Sequence, residues 1–170
     1  GSFSTSGNSW RSYIDYSGGG MTDWGAHHFG GATFAVDVRE LQPKEVILDE
    51  KDGKKFVSLR YPNGMEITHN KPGVGQMHVG RDNVQREAKE VPKYAGSGGI
   101  TGDFIDCVKT RNKPFRDIEY AINTMAVPHL STIAYKLNRS LKWDAAKQQF
   151  IGDAEADRLR NRARREPWQI

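Results

Sequence analysis

The sequence predicts an α+β fold: an open, mostly antiparallel β-sheet with helices packed on one face. Two observations carry this expectation. Between residues 45 and 79, short apolar runs alternate and are separated by tight-turn signatures, the pattern of an antiparallel meander with one solvated face. From about residue 102 onward, the apolar spacing changes to that of amphipathic helices.

The elements follow in order. Residues 1–17 read as a polar loop carrying Trp10, Tyr13 and Tyr16, closed by a Gly18-Gly19-Gly20 turn. Met21 to about Val38 has helical character, yet Gly25, Ala26, Gly30, Gly31 and Ala32 suit a helix packed closely on another surface rather than an autonomous one. Val46-Ile47-Leu48 opens the strand region, and Asp52-Gly53 is a hairpin signature. Phe56 to Tyr61 alternates toward a Pro62-Asn63-Gly64 turn, and Met65 to His69 alternates again. Gly73 to Val79 predicts a further strand, and residues 80–98 a polar loop. Gly102 to Arg111 predicts a helix with Phe104, Ile105, Cys107 and Val108 on one side, stopped by Pro114. Asp117 to Arg139 is a longer helical pattern that Pro128 should kink or split. Leu130, Ile133, Ala134 and Leu137 form its apolar stripe. Trp143 and Phe150 bracket a short segment before a last helix, Asp153 to Arg165.

Bulk properties exclude several classes. A chain of 170 residues predicts one domain spanning 1–170. No apolar run approaches the ~18 residues that a membrane span requires. The single Cys107 cannot form an internal disulfide and, among Phe104, Ile105 and Val108, is expected to be a buried, inert thiol. Net charge is +4 with a pI near 9.2, but the excess sits in Arg158, Arg160, Arg162, Arg164 and Arg165, directly after Asp153, Glu155 and Asp157. A helix that starts acidic and ends basic complements its own dipole. The basic face also lacks the interleaved aromatics that stack bases, so nucleic acid is not an expected partner. Gly1-Ser2 resembles the remnant of tag removal, so the compartment is not legible here. A cytoplasmic location is the expectation, with periplasmic export through an upstream signal left open.

The densest group of reactive side chains runs from Tyr16 through the glycine turn to His28. If this segment enters a helix, Asp23 and His27 share one face, about 6 Å apart along the axis. A carboxylate beside an imidazole fixes its orientation and raises its proton affinity, which suits an acid/base near neutral pH. On spacing alone the pair also fits a capping Asp and a packing His. Asp23, His27 and His28 are metal-ligand types, but adjacent His27 and His28 point about 100° apart on a helix and do not easily join Asp23 together. No metal is expected.

The segment Trp10-Arg11 … Asp15-Tyr16-Ser17-Gly18-Gly19-Gly20-Met21-Thr22-Asp23-Trp24-Gly25-Ala26-His27-His28 resembles the start of the substrate domain in the Gfo/Idh/MocA oxidoreductases, relatives of glucose–fructose oxidoreductase and inositol dehydrogenase. Independently, Gly102-Asp103-Phe104-Ile105-Asp106-Cys107-Val108-Lys109-Thr110-Arg111 is similar to the family helix that ends before a proline. The stretches His129 to Arg139, Leu141-Lys142-Trp143-Asp144 and Arg164-Arg165-Glu166-Pro167-Trp168 fit a subgroup common in bacterial carbohydrate metabolism. The similarity covers nearly the whole chain, with residues 70–98 matching loosely.

The resemblance implies the C-terminal half of a two-domain dehydrogenase, of the dihydrodipicolinate-reductase-like C-terminal domain type. An N-terminal Rossmann domain, absent from this chain, would bind NAD or NADP and supply a lysine beside the nicotinamide. His27 and Asp23 match the family's catalytic pair: the His takes the proton of a substrate hydroxyl as hydride leaves, and the Asp orients it. Tyr16, His28, Arg11 and Trp24 are the implied substrate-binding candidates. At Gly30, two positions after the second His, family members often carry an acid. The implied partners are the chain's own Rossmann half, a sugar-, cyclitol- or polyol-like molecule, and further copies meeting through the sheet face. Two other readings stay open: a non-catalytic assembly or ligand-binding module, and part of an NAD-dependent, redox-neutral glycoside-cleaving enzyme.

A dinucleotide-binding Gly-x-Gly-x-x-Gly turn must lie between a strand and a helix. The nearest imitation, Gly73 to Gly80, has its third glycine misplaced and continues as strand, so the fragment is expected not to turn over alone.

Overall fold

The computed structural model describes residues 10, 13, 16–36, 38–73, 77–81, 84–85, 97–161 and 166–167, and the side chains of all of these except 77–79, 81 and 84–85. Its elements are α1 (Trp24–Ala35), β1 (Glu45–Lys51), β2 (Lys54–Arg60), β3 (Met65–His69), β4 (Met77–Arg81), β5 (Val84–Gln85), α2 (Gly99–Thr110), α3 (Ile118–Leu137), β6 (Leu141–Asp144), β7 (Gln149–Phe150) and α4 (Ala154–Arg158). The strands form an antiparallel sheet in the order β5-β4-β3-β2-β1-β6-β7. The α+β expectation therefore holds.

The turns are set locally. Asp52 and Gly53 both adopt positive φ, at 54° and 71°, which a two-residue hairpin of matching twist requires. At the next turn Gly64 has φ 81° and its N–H donates to the Tyr61 carbonyl at 3.1 Å, while Asn63 Oδ1 accepts from the Met65 N–H. These turns fix the register, and the register sorts the side chains. Val46 lies opposite Leu59, which lies opposite Ile67; Val57 lies opposite Leu48 and His69. This face meets α3, whose Val127, Leu130, Ile133 and Ala134 are buried, and α1 packs beside α3. Trp143 and Phe150 of the β6–β7 hairpin close the core with rings 5.0 Å apart.

The other sheet face is polar without being open throughout. Glu45, Arg60 and Glu66 form a charged row across three strands. Ser58 and Thr68, directly opposite one another and buried, share a 2.8 Å hydrogen bond. Phe56 is buried under the Lys71 ammonium, 5.5 Å from its ring centre.

Five local expectations are corrected. Residues 80–98 are not all loop, since β4 runs to Arg81 and Val84–Gln85 adds a short edge strand. Pro128 does not split α3, which continues through it with the proline ring in the core. The last helix is not Asp153 to Arg165: α4 ends at Arg158, and residues 162–165 lie outside the described residues. Asp153 caps α4 by accepting from the Ala156 N–H, and its charge is met by Arg139 at 2.8 Å. The apolar side of α2 is not packed inward. None of its residues is buried, and Ile100, Phe104, Ile105 and Val108 face solvent. Cys107 is accordingly half-buried rather than buried, while desolvation and the nearby Asp103 and Asp106 raise its thiol pKa and keep it protonated.

Candidate functional site

The approach to α1 is a glycine-built turn. The Gly19 carbonyl accepts from the N–H groups of Thr22 and Asp23, both at 3.1 Å, and from the Thr22 hydroxyl at 3.2 Å. Gly19 has φ 76°, where a side chain is strained, and a Cβ on Gly18 would collide with the Thr22 side chain. The turn delivers Asp23 to the N-cap of α1, but its carboxylate makes no capping hydrogen bond to the helix. The capping reading left open by the spacing is thus not how this side chain is used.

From Asp23 the helix distributes the candidates. Trp24 and His27, three residues apart, are both exposed, with ring centroids 5.9 Å apart and planes inclined at 55°. His28 turns toward the sheet, half-buried, with its ring 6.4 Å from that of His69 on β3. Phe29 is fully buried and packs 5.2 Å from the same His69 ring. Tyr16, exposed, meets Tyr13 edge-on at 6.3 Å. Arg11 lies outside the described residues. The structure therefore groups Trp24 with His27 and separates His28 from them. Gly30 faces α3: its carbonyl accepts from the Tyr120 hydroxyl at 3.1 Å, and a Cβ there would sit 3.6 Å from Thr124.

The sequence reading missed His69. Its signal was the alternation Met65, Ile67, His69, which places the imidazole on the inward face of β3. The ring is only 5% exposed, and its buried Nδ1 has no hydrogen-bond partner among the described residues. Burial, reinforced by nearby His28, lowers the His69 pKa below the ordinary imidazole value. A depressed folded-state pKa means that the unfolded chain binds the proton more readily. The contribution to stability is then complete above the unfolded pKa of about 6.5 and is lost as pH falls below it toward the folded value. Urea unfolding at about pH 7.5 and about pH 5 should show a loss of stability on acidification that His69→Leu makes smaller. An equal loss in the variant would place the acid sensitivity elsewhere.

A cleft of about 690 Å³ opens beyond the C-terminal end of α1, lined by Arg39, Gln42, Lys113, Tyr120, Asn123 and Gln148, among others. Its amides satisfy one another: Gln42 donates to Asn123 at 3.0 Å and accepts from Trp143 Nε1 and Gln148 Nε2. That network braces the β6–β7 hairpin against α3. Among the described residues no three His, Cys, Asp or Glu side chains gather as metal ligands, and no helix is long and apolar enough to cross a membrane.

Residues 75–170 match a family described as "Oxidoreductase family, C-terminal alpha/beta domain". No curated protein matches the chain. No solved structure matches it either.

Proposed function

Because this chain belongs to the Gfo/Idh/MocA oxidoreductase family as its C-terminal domain, we propose that it is the substrate-facing half of a dehydrogenase acting on a secondary alcohol of a sugar, cyclitol or polyol derivative. A C-terminal domain implies an N-terminal partner in the parent protein. In this reading that partner is a Rossmann domain holding NAD or NADP, and the present chain is inactive without it. Among the described residues nothing suits the nucleotide: Gly80 lies within β4, paired with Glu66 of β3, rather than ahead of a helix N-terminus that could receive phosphates.

The observation that carries the reading is the exposed imidazole of His27, one turn into a helix whose N-cap residue is Asp23. A bound nicotinamide would accept hydride from the alcohol carbon. The residues here serve the other half of the balance: as the carbon–oxygen double bond forms, the hydroxyl proton passes to an unprotonated ring nitrogen of His27, and Asp23 steadies the resulting imidazolium. Tyr16 and Arg11 are proposed to hold substrate hydroxyls, and His28 to support α1 from the sheet side. The exposed apolar side of α2 supports a completing domain, since Ile100, Phe104, Ile105 and Val108 find no cover among the described residues. Contact between copies through the polar sheet face belongs to the same proposal.

The test is the full-length parent incubated with oxidised NAD or NADP and a panel of cyclitols, sugars and acyclic polyols. Net formation of reduced nicotinamide is expected. Cleavage of a glycoside with no net reduced cofactor would move the protein to the redox-neutral class, and neither outcome with any substrate would leave an assembly module.

A further inference from the structure

We propose that His28 of α1 and His69 of β3 form a two-histidine site for monovalent copper, which clips the helix to the sheet. The proposal stands apart from the dehydrogenase reading, since Asp23 and His27 take no part in it. His69 is 5% exposed, and its buried Nδ1 has no hydrogen-bond partner among the described residues. A neutral imidazole carries one N–H and one lone pair, and native structures rarely bury either without a partner. That nitrogen calls for a partner that the described residues do not supply.

Distances select the partner. The His28 and His69 ring centroids are 6.4 Å apart, with planes inclined at 32°. A direct, in-line N–H···N bond would put them at about 5.2 Å, with about 2.9 Å between nitrogens and about 1.15 Å from each nitrogen to its ring centre. An imidazole nitrogen binds a first-row metal ion at about 2.0–2.1 Å, so an ion in line between two rings sets their centroids about 6.3–6.5 Å apart. A tetrahedral angle at the metal would shorten that to about 5.1–5.3 Å. The donor count agrees with the straight geometry: no third His, Cys, Asp or Glu joins the pair among the described residues. Structural zinc takes four ligands and divalent copper a square plane, whereas monovalent copper, with its filled d shell, is satisfied by two imidazoles in line. The position also shelters the ion. His28 is half-buried and the Phe29 ring stands 5.2 Å from that of His69, which holds back the water that drives free monovalent copper to disproportionate.

The experiment titrates monovalent copper, kept reduced with ascorbate in the absence of oxygen, into the 170-residue chain in competition with bicinchoninate. Cys107→Ser serves as the background, since a thiol would compete for the ion. One equivalent is expected to bind, with two nitrogen neighbours at about 2 Å in the copper X-ray absorption spectrum. His28→Leu and His69→Leu should each weaken binding about tenfold or more. Copper should raise the unfolding temperature of the background protein and leave that of both variants in place. Without any histidine change, the ring signals of His28 and His69 should be the ones that move in long-range proton–nitrogen NMR spectra, which keeps the test valid if a variant fails to fold. The inference is overturned by no binding against bicinchoninate, by unweakened binding in either variant, or by three or more protein ligands at the copper. Tighter binding of zinc by the same pair, or movement of other histidine rings instead, overturns it as well. So does a copper-treated crystal with water alone beside His69 Nδ1.

Discussion

Replacing His27 by alanine in the full-length parent is expected to lower kcat by about 10²- to 10⁴-fold, the range for loss of a positioned acid/base, with the affinity for NAD or NADP nearly unchanged. His27 lies on the surface of α1, away from the core, so the fold should tolerate the change. Steady-state kinetics with cofactor titration check both halves of the statement. A variant with wild-type kcat would remove His27 from proton transfer. Asp23→Asn should act through the imidazole, lowering kcat and shifting the pH–rate profile. A profile that stays in place would reduce Asp23 to a residue that merely starts α1.

The largest effect on stability is expected from Phe29→Ala. Phe29 is fully buried between the helical layer and β3, in contact with His69. Deleting a buried phenylalanine ring costs about 3–5 kcal/mol, a large share of the roughly 5–15 kcal/mol that holds a domain together. Thermal unfolding should shift downward by about 6–20 °C for a chain of this size. The same substitution should reduce activity in the parent, because Phe29 anchors the helix that carries His27 two residues before it. A shift of only a degree or two would mean that α1 is held mainly by its contact with α3.

The contrast between these two residues shows what the sequence conveyed. Phe29 and His27 stand on opposite sides of one helix, and the glycine turn before it announced where that helix begins. The Asp52-Gly53 hairpin and the Leu130, Ile133, Ala134 stripe were equally legible, because each depends on local backbone geometry or period. What stayed hidden depended on what stands opposite. Periodicity placed Phe104, Ile105 and Val108 of α2 on one side but could not say whether anything faces them. Pro128 in isolation costs a helix about 3 kcal/mol. Around it, Val127, Leu130, Ile133 and Ala134 are buried, and large apolar side chains contribute about 1.5–3 kcal/mol each, so the tertiary contacts outweigh the break. The acidic start of α4 suggested a long self-complementing helix, whereas Asp153 and Glu155 are engaged by Arg139 across the chain. His69 was overlooked because a histidine ending a strand resembles a turn residue until its inward phase is counted.

The position of β6 has a consequence for the order of assembly. The meander from β1 to β5 can form through near neighbours in the chain, but Val46 finds Leu141 only after two helices have intervened. Until then β1 is a raw border, its amides and carbonyls on that side open to any passing strand. The C-terminal strands therefore cover the start of β1 and move the border to the two-residue β7, and removing them would leave a longer sticky edge in its place.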